Sequence, residues 1–164
     1  MASWLEEKYG DAARDAGRVQ IEDFGELPLA GEVAVWHPLD DLYAAPRLAL
    51  DSPPRVRAIS VGDELAGYVL GLSGEAATWR ELGDASTDTD RFFLVQVDQS
   101  ERVIDWLNED PSGFEALGGD DAVQPVLRED GARVVVIASP DGNARIRAGY
   151  TDLGRLAVVV IDVS

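Results

Sequence analysis

The chain has no cysteine and only one histidine, and Lys8 is the sole lysine among its fourteen basic residues. Without thiols there is no disulfide, no thiolate nucleophile and no Cys-ligated zinc or iron–sulfur centre. With one imidazole and one side-chain amine, the usual nucleophiles and general bases are almost gone. Long apolar runs are missing as well. The longest, Leu156 to Ile161, is six residues, whereas a membrane-spanning helix needs about 20. The opening Met1-Ala2-Ser3-Trp4-Leu5-Glu6-Glu7 has no basic n-region and no apolar h-region, so the expectation is no signal peptide and a cytoplasmic location. No serine sits in a Gly-x-Ser-x-Gly elbow, Gly71-Leu72-Ser73-Gly74 lacks a P-loop lysine, and Gly67 to Gly74 opens no helical pattern. The signatures of α/β-hydrolases, P-loop proteins and dinucleotide binders are therefore not here.

What the chain has in excess is negative charge. Its 31 Asp and Glu outnumber 14 Lys and Arg, for a formal net charge of −17. A small soluble domain typically carries a magnitude of about 2–8. The acids are spread, ten in residues 1–50, thirteen in 51–110 and eight in 111–164, so the whole folded surface should be negative. Such a surface repels nucleic-acid phosphates and anionic membranes. It admits a basic protein, a cation, or simple colloidal solubility. The arginine-rich basic set fits the codon bias of a GC-rich bacterial genome.

Length and composition point to one domain over 1–164, with an N-terminal helix in 1–17 and a β-rich body over 31–164. Ser3 and Glu6 have capping-box spacing, and Trp4, Leu5, Ala12, Ala13 and Ala16 recur at helical intervals up to Gly17. The expectation is an amphipathic helix over about 4–16, docked on the body through Trp4 and Leu5. Residues 18–28 read as a loop or short strand. Strands are expected at 32–37, 55–61, 65–72, 76–82 and 91–97, and the proline-rich stretch 38–54 should be irregular. Ser100 caps an expected helix over about 101–108. Strands at 133–138, 144–150 and 156–163, joined by Pro140-Asp141-Gly142-Asn143 and Asp152-Leu153-Gly154, read as a C-terminal β-meander. Leu156 to Ile161 is apolar on both faces, as in a central strand. The class expected is α+β: about seven mostly antiparallel strands and two helices, with no βαβ rhythm.

Two stretches carry a resemblance. Gly31-Glu32-Val33-Ala34-Val35-Trp36-His37-Pro38-Leu39 is similar to the strand, acidic residue, Pro and Leu segment of the bacterial domain-of-unknown-function family 4241, with His37 where an Asp is usual. The Pro-rich stretch and the strand at Val56 fit as well. So does the end from Ser139 to Asp162, with its Ser-x-Asp-Gly turn and Gly149-Tyr150-Thr151-Asp152-Leu153-Gly154. The resemblance covers about two-thirds of the chain and departs around 84–130. Residues 57–106 are also similar, more distantly, to bacterial toxin-immunity proteins. The resemblance implies a β-rich domain and supplies no catalytic residue.

The candidate sites are therefore read from the residues. The acidic segment Asp84, Asp88, Asp90, Asp98, Glu101, Asp105, Glu109 and Asp110, with Trp106 as an anchor, is the candidate surface for a basic protein partner. The leading expectation is thus a non-enzymatic protein-binding module, such as an immunity-type inhibitor of a basic toxin, as a monomer or weak homodimer. The alternative is a small hydrolase or ligand-binding domain using His37 with Asp40 or Asp41. Asp84, Asp88 and Asp90 lack EF-hand spacing and are expected to form a solvated loop, and no metal or cofactor is implied.

Overall fold

A computed structural model describes residues 19–37, 44–87, 90–109, 122–127 and 133–163. β-branched, leucine and aromatic side chains, on alternate or successive positions, make strands of most of these segments. In chain order they are β1 (Val19–Glu26), β2 (Gly31–Trp36), β3 (Arg47–Leu50), β4 (Arg55–Val61), β5 (Glu64–Gly71), β6 (Thr78–Ser86), β7 (Arg91–Gln96), β8 (Val123–Leu127), β9 (Arg133–Ala138), β10 (Asn143–Tyr150) and β11 (Leu156–Asp162). A 3₁₀ turn, Val97–Gln99, leads into one ten-residue helix, α1 (Ser100–Glu109). No helix among the described residues is long and apolar enough to cross a membrane.

These elements correct the expected class. The architecture is nearly all-β, with a six-stranded sheet in the order β1-β4-β5-β11-β10-β6 and a five-stranded sheet in the order β3-β2-β7-β9-β8. Every neighbouring pair is antiparallel. The expected N-terminal helix lies outside the described residues. Three strands join the eight expected ranges, all at sheet edges: 19–26, read as loop or short strand, 47–50, in the stretch expected to be irregular, and β8. The β-meander is corrected too. β9 belongs to the five-stranded sheet, whereas β10 and β11 form a hairpin in the other. The turn at Pro140 to Gly142 thus carries the chain between sheets. It is closed by Gly142 N–H donating to the Ser139 carbonyl (2.9 Å) and by the Ser139 hydroxyl donating to the Asn143 carbonyl (2.7 Å).

The two sheets share one apolar core. Val33, Val35, Phe92, Leu94, Val135 and Ile137 of the five-stranded sheet meet Val56, Tyr68, Leu70, Ile146, Val159 and Ile161 of the other. On the outer face of the five-stranded sheet, Ala34, Trp36, Phe93, Val95, Val134 and Val136 pack under Val103 of α1, with Trp106 beside them. Trp36 and Phe93 meet edge to face, centroids 6.5 Å apart. Being covered on both sides is why β7 and β9 are apolar at successive rather than alternate positions. β11 is an interior strand, between β5 and β10, as its two apolar faces lead one to expect.

One polar group ties the sheets together inside the core. The buried Tyr68 of β5 reaches across the sandwich, its hydroxyl 2.7 Å from the Ala138 carbonyl and 2.9 Å from the Ala122 carbonyl. Its single proton is shared between them, and burial pushes the phenol well above its usual pKa. Tyr68→Phe removes this clasp while keeping the ring. The expected loss is about 1–2 kcal/mol, a fall of about 2–8 °C in Tm measured by thermal unfolding. An unchanged Tm would mean that the hydroxyl contributes nothing to holding the sheets.

At the edge, Asp23 sits in a bulge of β1. It accepts the Gly25 N–H (2.8 Å) and pairs with Arg55 (2.8 Å). The Arg55 hydrogen bond, then that from Gly25, hold its carboxyl below the usual carboxylate range. A lowered pKa gives stability that is present at neutral pH and lost as pH falls through the folded-state value. Asp23→Asn is therefore expected to be slightly less stable than the wild type at pH 7. The gap should close on acidification, as followed by urea midpoints across pH.

Candidate functional site

The sequence-proposed acidic segment does not form one patch. Asp90 precedes β7 and Asp98 follows it, so the length of a strand separates them: six residues rise about 20 Å. Asp84 is on β6 in the other sheet, with its carboxylate 3.6 Å from Arg145 across the β6–β10 ladder. Asp88 and Asp110 lie outside the described residues. What is brought together is the set on and next to α1.

α1 forms because Ser100 to Glu109 offers a face for the sheet and interposes no glycine or proline. Ser100 does not cap it from outside, as expected. It is the first helical residue, and its hydroxyl donates back to the Val97 carbonyl at 2.8 Å. Val103 is fully buried against the sheet, and Trp106 is half-buried in the same cluster. Trp106 is thus shared between the packing under the helix and the surface. Opposite, Glu101, Asp105 and Glu109 are exposed at i, i+4 and i+8, and Asp98 is exposed just ahead of them. At about 100° per residue they run down the middle of the solvent face. Arg102 lies on one flank and Ile104, 37 % exposed, on the other.

The C-terminal half of this stripe is unfavourable for the helix that carries it, whereas Asp98 and Glu101 stand at the N-terminus, where the macrodipole favours acids. Like charges at i, i+4 occur twice, each destabilising by about 0.2–0.5 kcal/mol. Glu109 places a negative charge at the helix C-terminus, where the macrodipole is already negative, and no basic residue occupies the last turn.

The second candidate, His37, is at the opposite end of β2 from the β1–β2 connection, where Pro38 follows and the strand stops. The side chain is buried. It lines a cleft of about 310 Å³ with Trp36, Ala44, Ala45 and Pro46 on one side and Asp84, Ala85 and Ser86 on the other. The wall is close because β6 has glycine at position 83. There φ is +144°, and a Cβ would stand 3.3 Å from the Pro46 ring. A second hollow, about 390 Å³, adjoins it through the same three residues and reaches Asn143, Arg145 and Asp162. His37 and Asp84, far apart in sequence, thus share a cleft. Asp40 and Asp41, the carboxylates expected beside His37, lie outside the described residues. Of the tryptophans, Trp36 is in the core and Trp79 is 45 % exposed over Gly149.

Among the described residues no three His, Asp or Glu side chains gather closely enough to hold a metal ion. Excess chelator is expected to leave the thermal midpoint where it is. A fall of several degrees would reveal a bound cation, because a ligand of the native state stabilises by mass action. Comparison of the chain with protein-family models, curated proteins and solved structures found no match.

Proposed function

We propose that this protein is a non-enzymatic binding module that uses the solvent face of α1 to hold a basic protein, in the manner of an immunity-type inhibitor covering a cationic toxin. The observation that carries the reading is the acidic stripe Asp98, Glu101, Asp105 and Glu109. Its C-terminal half, Asp105 and Glu109, repels itself and opposes the helix dipole, and a surface kept acidic at that cost supports a binding role. Ile104 beside the stripe supplies an apolar contact next to the charges, as protein interfaces do. The excess of 17 negative charges adds steering, which raises the rate of encounter with a cationic partner. Kinship with family 4241 and with toxin-immunity proteins, a cytoplasmic location and a monomeric or weakly dimeric state are proposed as parts of this same reading.

The test is kinetic. With a purified cationic protein domain as the probe, association is measured at several salt concentrations. The Debye length is about 30 Å at 0.01 M salt and about 8 Å at physiological ionic strength. The association rate should therefore fall steeply over that range while dissociation changes little. A rate indifferent to salt would leave the charge as a solubility device.

A second reading is ligand binding in the cleft shared by His37, Asp84 and Ser86. The single histidine makes the two readings separable by NMR. A ligand in the cleft shifts the imidazole resonances of His37, whereas a partner seated on α1 leaves them in place.

A further inference from the structure

β6 stands last in the six-stranded sheet, with β10 its one partner among the described strands. It is nine residues long, Thr78–Ser86, where strands usually run about 5–6. Its four leading residues, Thr78, Trp79, Arg80 and Glu81, are all exposed. Successive side chains of a strand point to opposite faces, so this half of β6 is open on both. The trailing half is more enclosed, because the ring of Pro46 comes alongside at Gly83. Edges of natural sheets are blunted by short length, proline, lysine or a bulge. β3 has four residues, β8 contains Pro125, and β1 is bulged between Asp23 and Gly25. Thr78 to Glu81 has neither proline nor lysine, and the irregularity in the ladder with β10 falls at its end, between Glu81 and Gly83.

We infer that Thr78 to Glu81 is a docking edge for an extended, basic segment of another protein, which adds to the sheet as a further strand beside β6. Backbone hydrogen bonds along such an edge supply affinity, and alternate side chains supply selectivity. Those side chains name the occupant. Trp79 lies over Gly149 with 45 % of its surface exposed, an aromatic anchor for an apolar side chain. Glu81 is two residues on, hence on the same face, and Asp84 follows past the irregularity. Their carboxylates are 68 % and 75 % exposed, and their pairs with Arg147 and Arg145 are long, 3.7 and 3.6 Å. Exposed pairs of that kind are weak, so both carboxylates can take a second cation. Arg80 points to the other face, 5.6 Å from the centroid of the Tyr150 ring. A strand that runs antiparallel to β6 and presents two basic residues and then an apolar one therefore matches Asp84, Glu81 and Trp79 in turn. The excess of 17 negative charges favours a basic occupant and opposes a second copy of this chain. This edge is separate from α1, which packs on the other sheet, and does not depend on the use of that helix.

The probe is a capped peptide, Thr-Lys-Thr-Lys-Thr-Val-Thr, added to the full chain and followed by NMR and amide hydrogen exchange. Two further peptides are the controls, one with glutamate in place of lysine and one N-methylated at alternate residues. The lysine peptide should shift the Trp79 indole resonance and slow exchange of β6 amides about tenfold at saturation. The glutamate peptide, which lacks the charge, and the N-methylated one, which cannot pair its backbone, should do neither. Trp79→Ala should weaken binding about fivefold or more, as truncation of an aromatic anchor does. Glu81→Arg should weaken it as well, and decides alone if Trp79→Ala lowers the thermal midpoint. Four results would overturn the inference: no response in β6, resonance changes confined to α1, equal binding of the lysine and N-methylated peptides, or protection of β6 that rises with protein concentration in the absence of peptide alongside a dimeric mass in light scattering. The third would reduce the contact to charge alone, and the last would assign the edge to a second copy.

Discussion

Ile161→Asp is expected to yield no folded protein. Ile161 is fully buried in the shared core, on an interior strand opposite Ile146 and Tyr68. The substitution forfeits about 1.5–3 kcal/mol of apolar burial. It also places a carboxylate where no cation reaches, at an effective cost of several kcal/mol more. A domain has about 5–15 kcal/mol in total, so most of it is consumed. Circular dichroism should show no cooperative thermal transition. Leu153→Asp supplies the contrast: that side chain is 86 % exposed in the β10–β11 turn, and its variant should stay within about 0.5 kcal/mol of the wild type. A cooperative transition for Ile161→Asp within a few degrees of the wild type would mean that β11 does not occupy the core.

The second large effect is on binding. Asp105→Arg with Glu109→Arg reverses two of the four charges of the stripe. At low salt the association rate with a basic partner should drop at least tenfold, since steering contributes about 10–1,000-fold to such rates. Stability should move the other way. The Glu101–Asp105 repulsion becomes an attraction and the arginine at 109 favours the helix C-terminus, outweighing the repulsion of position 105 with Arg102, while the 105–109 pair stays a like-charge one. A gain of up to about 1 kcal/mol is expected, or roughly 2–4 °C in Tm. The signature is a variant that melts no lower and binds more slowly. Unchanged association would move the interface off α1. A fall in Tm would show that the stripe was not a cost to the helix.

Much of the core was legible and much of the topology was not. β7 and β11 announce themselves because Phe92 to Val95 and Leu156 to Ile161 are apolar on both faces. β4 and β5 are punctuated by Gly62-Asp63, a two-residue turn in which Gly62 takes φ +63°. β1 was obscured because Val-Gln-Ile-Glu-Asp-Phe-Gly-Glu is an edge strand with little to bury. β3 is four residues in a proline-rich stretch, and β8 contains Pro125, which only an edge tolerates. The step from β9 to β10 was misread because a tight turn between two strands looks the same whether they pair or part to opposite sheets. At the site, the helix and its acidic face follow from residue spacing. The joining of His37 to Asp84 does not, since no local pattern records a meeting between sheets.

The insertion of the β10–β11 hairpin between β5 and β6 sets an order on assembly during synthesis. β5 emerges with one edge unmatched, and its neighbour on that side, β11, is made more than eighty residues later. Until then β6, which among the described strands pairs with β10 alone, has no place to go. The six-stranded sheet cannot close while the C-terminal strands are still inside the ribosome, so its long-range pairing belongs among slow, non-local folding steps. Meanwhile the exposed edge of β5, Leu-Ala-Gly-Tyr-Val-Leu, is a template for pairing with other chains. Repulsion between chains that carry a strong excess of negative charge opposes such pairing while that edge waits for its partner.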